Sequence, residues 1–389
     1  MNIIETDHKY VANTYRRFPV ALVRGKGAKA WDADGKEYID LGSGIAVNIF
    51  GYGDETWKQA VTSQLDKLPH SSNLYHTEPC AKLARMLCER TGMKKVFFGN
   101  SGAEANECAI KVARKYAFDK YGDESHSTII TLKNSFHGRT VTTLSATGQD
   151  HFHRYFGPFT PGFVHAEAND LSDVKRLAEE NGCCAVMVEM VQGEGGVMPL
   201  NYGFVKGIWQ LCKEKDLLFI VDEVQTGNGR SGRLFSYMNF ERQPDVVTTA
   251  KGLGGGLPIG ACLIGEKAEN TLSFGDHGST FGGNPAACAG AISILERIDD
   301  RLLEGVRARA KFIIDRLNGA KGLVGISGMG LMLGIETLRP ASEIANACLA
   351  RGVLVLTAKT RVRLLPPLTI DFDELEKAVT VLKEEIENI

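Results

Sequence analysis

The 389-residue sequence predicts an α/β protein, with a large domain built on a mostly parallel sheet and a smaller α+β domain. Three observations carry this expectation. Between residues 80 and 260, short apolar runs alternate with helical segments, the pattern of a parallel sheet covered on both faces. After residue 285 the pattern changes to long helices followed by short strands. The length itself exceeds one small core and suits a large domain plus a smaller one.

The elements follow in order. Residues 1–45 predict short strands and turns that join the small domain, with two strands flanking the Asp34-Gly35 turn. Residues 46–284 form the predicted large domain. Helix 80–90 leads to strand 95–98, helix 102–120 to strand 127–132, and helix 171–180 to strand 185–190. Helix 203–215 leads to strand 217–222, and a further strand spans 245–250. Strand 261–265 follows a glycine-rich loop too short for a helical crossover, so it is predicted antiparallel to its neighbour. Residues 285–389 form the predicted small domain. Its helices are 285–298, 300–318 and 373–388, with strands around 323–336 and 353–365. There are no repeats or low-complexity linkers.

Composition narrows the function. Hydrophobic residues make up 43% and charged residues 24%, as in soluble globular enzymes. A net charge of −2 gives no field that draws nucleic acid or membrane. No apolar run approaches the ~20 residues a membrane span needs. Residues 1–17 are polar and lack the features of a signal peptide. The nine cysteines form no C-x-x-C pair, which fits reduced thiols and a cytoplasmic setting. Cys183 and Cys184 open an apolar run and are expected in the core.

Four features fall where an open α/β sheet binds ligands, beyond the carboxyl ends of its strands. Asn100-Ser101-Gly102-Ala103-Glu104 follows a strand and opens a helix, with capping-box spacing. It reads either as a plain helix cap or as a phosphate cradle. Asp222 ends a buried apolar strand and needs a partner, either a local arginine or a protonated ring nitrogen. Lys251 follows another buried strand, with four glycines in the next five residues. It is either a loop lysine or a desolvated amine of lowered pKa that attacks a carbonyl. Phe136 and Arg139, in Phe136-His137-Gly138-Arg139-Thr140, offer a stacking ring and a carboxylate grip, or else incidental loop groups. Taken together they meet the needs of pyridoxal 5′-phosphate (PLP): phosphate site, ring-stacking aromatic, acid for the ring nitrogen and lysine for the aldehyde.

The sequence resembles the class III (subgroup II) PLP aminotransferases over nearly its full length. The matching stretches are NSGAEANE at 100–107, FHGRT at 136–140, VQGEGG at 191–196, DEVQTG at 222–227, Lys251 and GSTFGGNP at 278–285. LGSGIAVN at 41–48 and SNLYHTEPCAKLA at 72–84 resemble the branch that acts on N2-acetylornithine in arginine biosynthesis.

The resemblance implies a type I PLP-transferase fold with a seven-stranded sheet. It implies that Lys251 carries the cofactor and shuttles protons, and that Asp222 pairs with the ring nitrogen. Val224 and Phe136 would sandwich the ring, and Gln225 would contact the 3′-oxygen. Ser101, Gly102 and Ala103 would bind phosphate. Thr280, with Ser279, would reach that phosphate from a partner subunit, so a homodimer is implied. Arg363, in an R-x-x-P-P-L segment, would hold the α-carboxylate of glutamate or 2-oxoglutarate. Glu194 would mask Arg363 when an ω-amine binds, Arg139 would take the far carboxylate, and Glu189 would lie near the ring. Ile45, where ornithine enzymes tend to have tyrosine, favours the acylated donor. Ornithine, succinylornithine or 4-aminobutyrate as donor, an aminomutase and a non-catalytic binding protein are the alternatives. Two departures from the family pattern are Phe50–Glu55, which lacks the usual histidines and proline, and Asn228 in place of methionine. Both are expected at the pocket mouth.

Overall fold

The computed structural model describes residues 1–388. Helix Ile3–Tyr10 opens the described chain, where only strands and turns were expected, and an antiparallel meander follows: β1 (Leu22–Lys26), β2 (Lys29–Asp32) and β3 (Glu37–Asp40). The central sheet comprises β4 (Lys95–Gly99), β5 (Thr128–Leu132), β6 (Phe163–Ala166), β7 (Cys183–Val188), β8 (Leu218–Asp222), β9 (Val246–Thr249) and β10 (Gly260–Ile264). Their spatial order is β4-β10-β9-β8-β7-β5-β6. Neighbours from β9 through β6 pair in parallel, whereas β10 runs antiparallel to both β9 and β4. This matches the expected seven strands and the expected direction of β10.

Every residue of β7, β8, β9 and β10 is buried, including Cys183 and Cys184. Each large aliphatic side chain so placed contributes roughly 1.5–3 kcal/mol. The sequence reading passed over β6, whose first three residues are only half-buried at the sheet edge. It also passed over helix α1 (Glu55–Lys67), which carries a single buried residue, Val61. Helices α2 (Glu78–Thr91) and α3 (Gly102–Tyr121) flank the sheet. Helix α4 (Pro285–Glu296) packs on α1 and α2.

The C-terminal unit has a four-stranded antiparallel sheet, β11 (Leu323–Met329), β12 (Met332–Thr337), β14 (Leu356–Ala358) and β15 (Arg361–Leu364), in the order β11-β12-β15-β14. Strand β13 (Val353–Leu354) leaves this unit and pairs in parallel with β3 of the meander.

Several side chains tie the two units together, and one of them is fully buried. Arg230, in the loop after β8, is fully buried and donates through Nη1 to the carbonyls of Leu331 (3.1 Å) and Pro366. Pro366 lies just beyond β15, the strand that carries Arg363. Among the described residues, no helix is long and apolar enough to cross a membrane.

Candidate active site

A cavity of about 460 Å³ opens beyond the carboxyl ends of β4, β8 and β9. Register explains the convergence. Asp222 pairs with Thr248, Thr249 with Ala261, and Gly260 with Gly99. The residues that follow β4 and β9, and the last residue of β8, therefore share one rim.

Ser101 caps α3, its Oγ accepting from Glu104 N at 3.2 Å. The reciprocal bond differs from the expected capping box. The Glu104 carboxylate accepts from the N–H of Asn100, not of Ser101. The N–H groups of Gly102 and Ala103, in the first turn, have no intrahelical acceptor. They and the helix dipole make the cavity wall attractive to an anion. Gly102 is required by space: a Cβ there would lie 2.6 Å from Val224 Cγ1.

Asp222 ends β8 almost wholly buried. It stays satisfied by accepting from Val224 N (3.0 Å), Asn106 Nδ2 (2.8 Å) and His137 Nδ1 (2.8 Å). Thr248 extends the network by donating to Asn106 Oδ1 at 2.6 Å. Burial opposes protonation of His137, but the hydrogen bond and charge of Asp222, with the charge of Glu189, outweigh it and raise the histidine pKa. The network holds Asp222 at the cavity wall with oxygen lone pairs to spare. Nothing in the sequence marks Asn106, Thr248 or His137 as partners of Asp222. The only available signal was that a buried carboxylate must find donors.

Lys251 sits half-buried on the cavity wall. Desolvation lowers its amine from 10.5 to about 8. Behind it, the Asn228 amide donates to Thr249 Oγ1 (2.9 Å) and to the Ala250 carbonyl (3.3 Å). Asn228 is therefore a buried support of the lysine and not part of the pocket mouth, as its departure from the family pattern had suggested. Its φ of +57 lies in the left-handed region, which asparagine tolerates better than most residues with a side chain.

Phe136, Arg139, Glu189, Val224 and Gln225 also line the cavity. Glu189 Oε2 accepts from Phe136 N at 2.9 Å, and burial raises its pKa. Arg363, 3% exposed, donates through Nη1 to Glu194 Oε1 (2.5 Å) and Gln225 Oε1 (3.1 Å). Burial works against ionisation of Glu194, but Arg363 more than offsets this and lowers its pKa.

Five of the expected residues are not in the cavity lining: Glu194 and Arg363, which adjoin it through Gln225, and Ile45, Ser279 and Thr280. Ile45 lines a second cavity of about 420 Å³ beneath the segment carrying Tyr15 and Phe18. Ser279 Oγ accepts from Asn100 Nδ2 at 3.1 Å, and Thr280 is exposed on the surface.

The donor set suits PLP. The anion cradle, the carboxylate at the end of β8 and the amine of lowered pKa face one space, and Gly102 is kept free of a side chain where the backbone must come close. Fold and site together define a PLP-dependent aminotransferase.

The chain belongs to the class III aminotransferase family, whose sequence profile matches residues 10–386. It is 51% identical over 385 residues to an acetylornithine aminotransferase of Haemophilus ducreyi, covering 98% of each chain. It is 44% identical over 394 residues to another from Caldanaerobacter subterraneus subsp. tengcongensis, covering 100% of both. Among solved structures, the ornithine aminotransferase of Toxoplasma gondii ME49 superposes with a TM-score of 0.94 at 32% identity, over 98% of this chain and 94% of that one.

Proposed function

We propose that the chain transfers the δ-amine of N2-acetylornithine to 2-oxoglutarate, yielding N-acetylglutamate 5-semialdehyde and glutamate, as a cytoplasmic homodimer in arginine synthesis. The observation that carries this is a pair of arginines of opposite character beside one lysine. Arg363 is ion-paired to Glu194, whereas Arg139 has no ion-pair or hydrogen-bond partner among the described residues.

PLP bound here supplies an electron-withdrawing ring conjugated to the amine-bearing carbon of the substrate. The remaining work falls to the chain. Ser101, Gly102 and Ala103 would hold the phosphate, Phe136 and Val224 would flank the ring, and Gln225 would face its 3′-oxygen. Asp222, buttressed by Asn106 and His137, would keep the ring nitrogen protonated. Lys251 Nζ would take the proton from the amine-bearing carbon and return it to the carbon on the far side of that nitrogen, two atoms away. The amine donor leaves as an aldehyde before 2-oxoglutarate enters, giving ping-pong kinetics.

Two substrates of different shape use one pocket in turn. The far carboxylate of acetylornithine docks on Arg139 while Glu194 masks Arg363. The α-carboxylate of 2-oxoglutarate then displaces Glu194 from Arg363. Glu189 supports the backbone of Phe136, and the aliphatic Ile45 adds apolar surface to the neighbouring cavity. Thr280 and Ser279 complete the partner subunit's phosphate site. The exposure of Thr280 and of Leu74, Tyr75, Phe274 and Phe281 supports this pairing.

The domain division at 45 and 284 belongs to the same reading. Pairing of β3 with β13 supports attaching residues 1–45 to the C-terminal unit. Free ornithine is the second reading, favoured by similarity to the Toxoplasma fold. Initial rates with 2-oxoglutarate and equal concentrations of acetylornithine, succinylornithine, ornithine and 4-aminobutyrate decide between them. Acetylornithine is expected to be fastest, and a faster rate with ornithine or 4-aminobutyrate would overturn the assignment. Lys251→Ala is expected to lose both turnover and the visible band of bound cofactor.

A further inference from the structure

Arg139 is an exposed guanidinium at the cavity, free of any carboxylate or carbonyl partner among the described residues. A long cationic side chain in that state samples many rotamers, and ordering it when a ligand arrives costs entropy. Yet its position is defined. The guanidinium carbon lies 3.9 Å from the centroid of the Phe152 ring and 5.5 Å from that of Phe136. The two rings meet edge to face, with centroids 5.8 Å apart at 73°. Phe152 is itself held in place. Its N–H donates to the Gln149 carbonyl at 3.0 Å, and buried Gln149 donates through Nε2 to the Ser135 carbonyl at 3.0 Å.

We infer that Phe152 is the positioning residue that makes Arg139 a carboxylate receptor. Stacking on a ring fixes the guanidinium plane through its face and leaves the N–H edge free, whereas an acidic partner would occupy that edge. The pair thus discriminates for donors that carry a carboxylate. This contrasts with Arg363, whose Nη1 is already taken by Glu194 and Gln225. The inference rests on Arg139 as the far-carboxylate site of the proposed reaction.

The test uses Phe152→Leu, which keeps apolar bulk but has no π face, and Phe152→Tyr, which keeps the face. Two donors are compared on the holoenzyme: N2-acetylornithine and its analogue lacking the carboxylate, N-acetyl-1,4-diaminobutane. Phe152→Leu is expected to lower kcat/KM for the first by about tenfold, equal to ~1.4 kcal/mol and within the range of a cation–π contact. The loss should fall mainly on KM, with the second donor changed by less than about twofold and Phe152→Tyr restoring both. Calorimetric binding of glutarate, a non-reacting dicarboxylate, should weaken in Phe152→Leu to a similar degree. Equal losses for both donors, or an unchanged glutarate affinity, would overturn the inference. If the native protein fails to use acetylornithine at all, the functional reading fails instead, and glutarate binding still decides the role of Phe152.

Discussion

Lys251 takes a left-handed backbone conformation, φ +45, directly after a buried strand. For a residue with a Cβ this costs on the order of 1–2 kcal/mol, sustained by the surrounding structure. Asn228 supplies part of that support by holding Thr249 and Ala250. The amine, lowered to about 8, is neutral above that pH and cationic below it. In the cofactor-free protein, acylation of Lys251 followed by mass spectrometry should therefore rise through a midpoint near pH 8, well before exposed lysines react. A midpoint near 10.5 would contradict a desolvated amine. Replacing Asp222 by Asn should lower kcat by about 10²–10³, the loss seen when a preorganised electrostatic partner is removed. Lys251 and Asp222 were legible in the sequence because polar residues ending apolar strands need a reason to be there. Their supports Asn106, Asn228 and Thr248 were not, since only the folded sheet brings them within reach.

Among elements, the turn from β4 into α3 is the most constrained. A methyl group at residue 102 would collide with Val224, one wall of the cavity, so the helix N-terminus could not keep its distance from the ring. Gly102→Ala should weaken cofactor affinity while leaving the far-ultraviolet circular dichroism intact, as equilibrium dialysis would show. Similar affinity to the native protein would mean that Val224 moves freely. The antiparallel direction of β10 followed from a short loop, a purely local signal. Strand β6 escaped notice because a half-buried edge strand shows neither a continuous apolar run nor clean alternation. The run of positive φ from Ser43 to Ala46 was equally hidden, as only Gly44 marks it in the sequence.

For the whole molecule, the fully exposed Phe274 and the exposed Phe281, Leu74 and Tyr75 lie on or beside the stretch that bears Thr280. Phe274→Asp together with Phe281→Asp should shift sedimentation toward monomer and lower activity in parallel. Unchanged sedimentation would detach Thr280 from any partner. Glu194→Ala should leave Arg363 unmasked and cut the preference for acetylornithine over glutamate as amine donor by about tenfold or more, the scale set by breaking a buried charge pair. The split between Lys251 on the central sheet and Arg363 on β15 could not be seen from spacing alone, because 112 residues separate them along the chain.

Arg230 is one of the side chains that fasten those two units, and its acceptors are backbone carbonyls of Leu331 and Pro366. Every amino acid carries a carbonyl, so this fastening makes no demand on side-chain identity at the far side. A C-terminal unit from a relative, spliced in with the same backbone path, should find the same anchor. The receptor for the α-carboxylate is in that sense a replaceable module, and chimeras offer a way to retune which acid is accepted without disturbing the lysine that moves the proton.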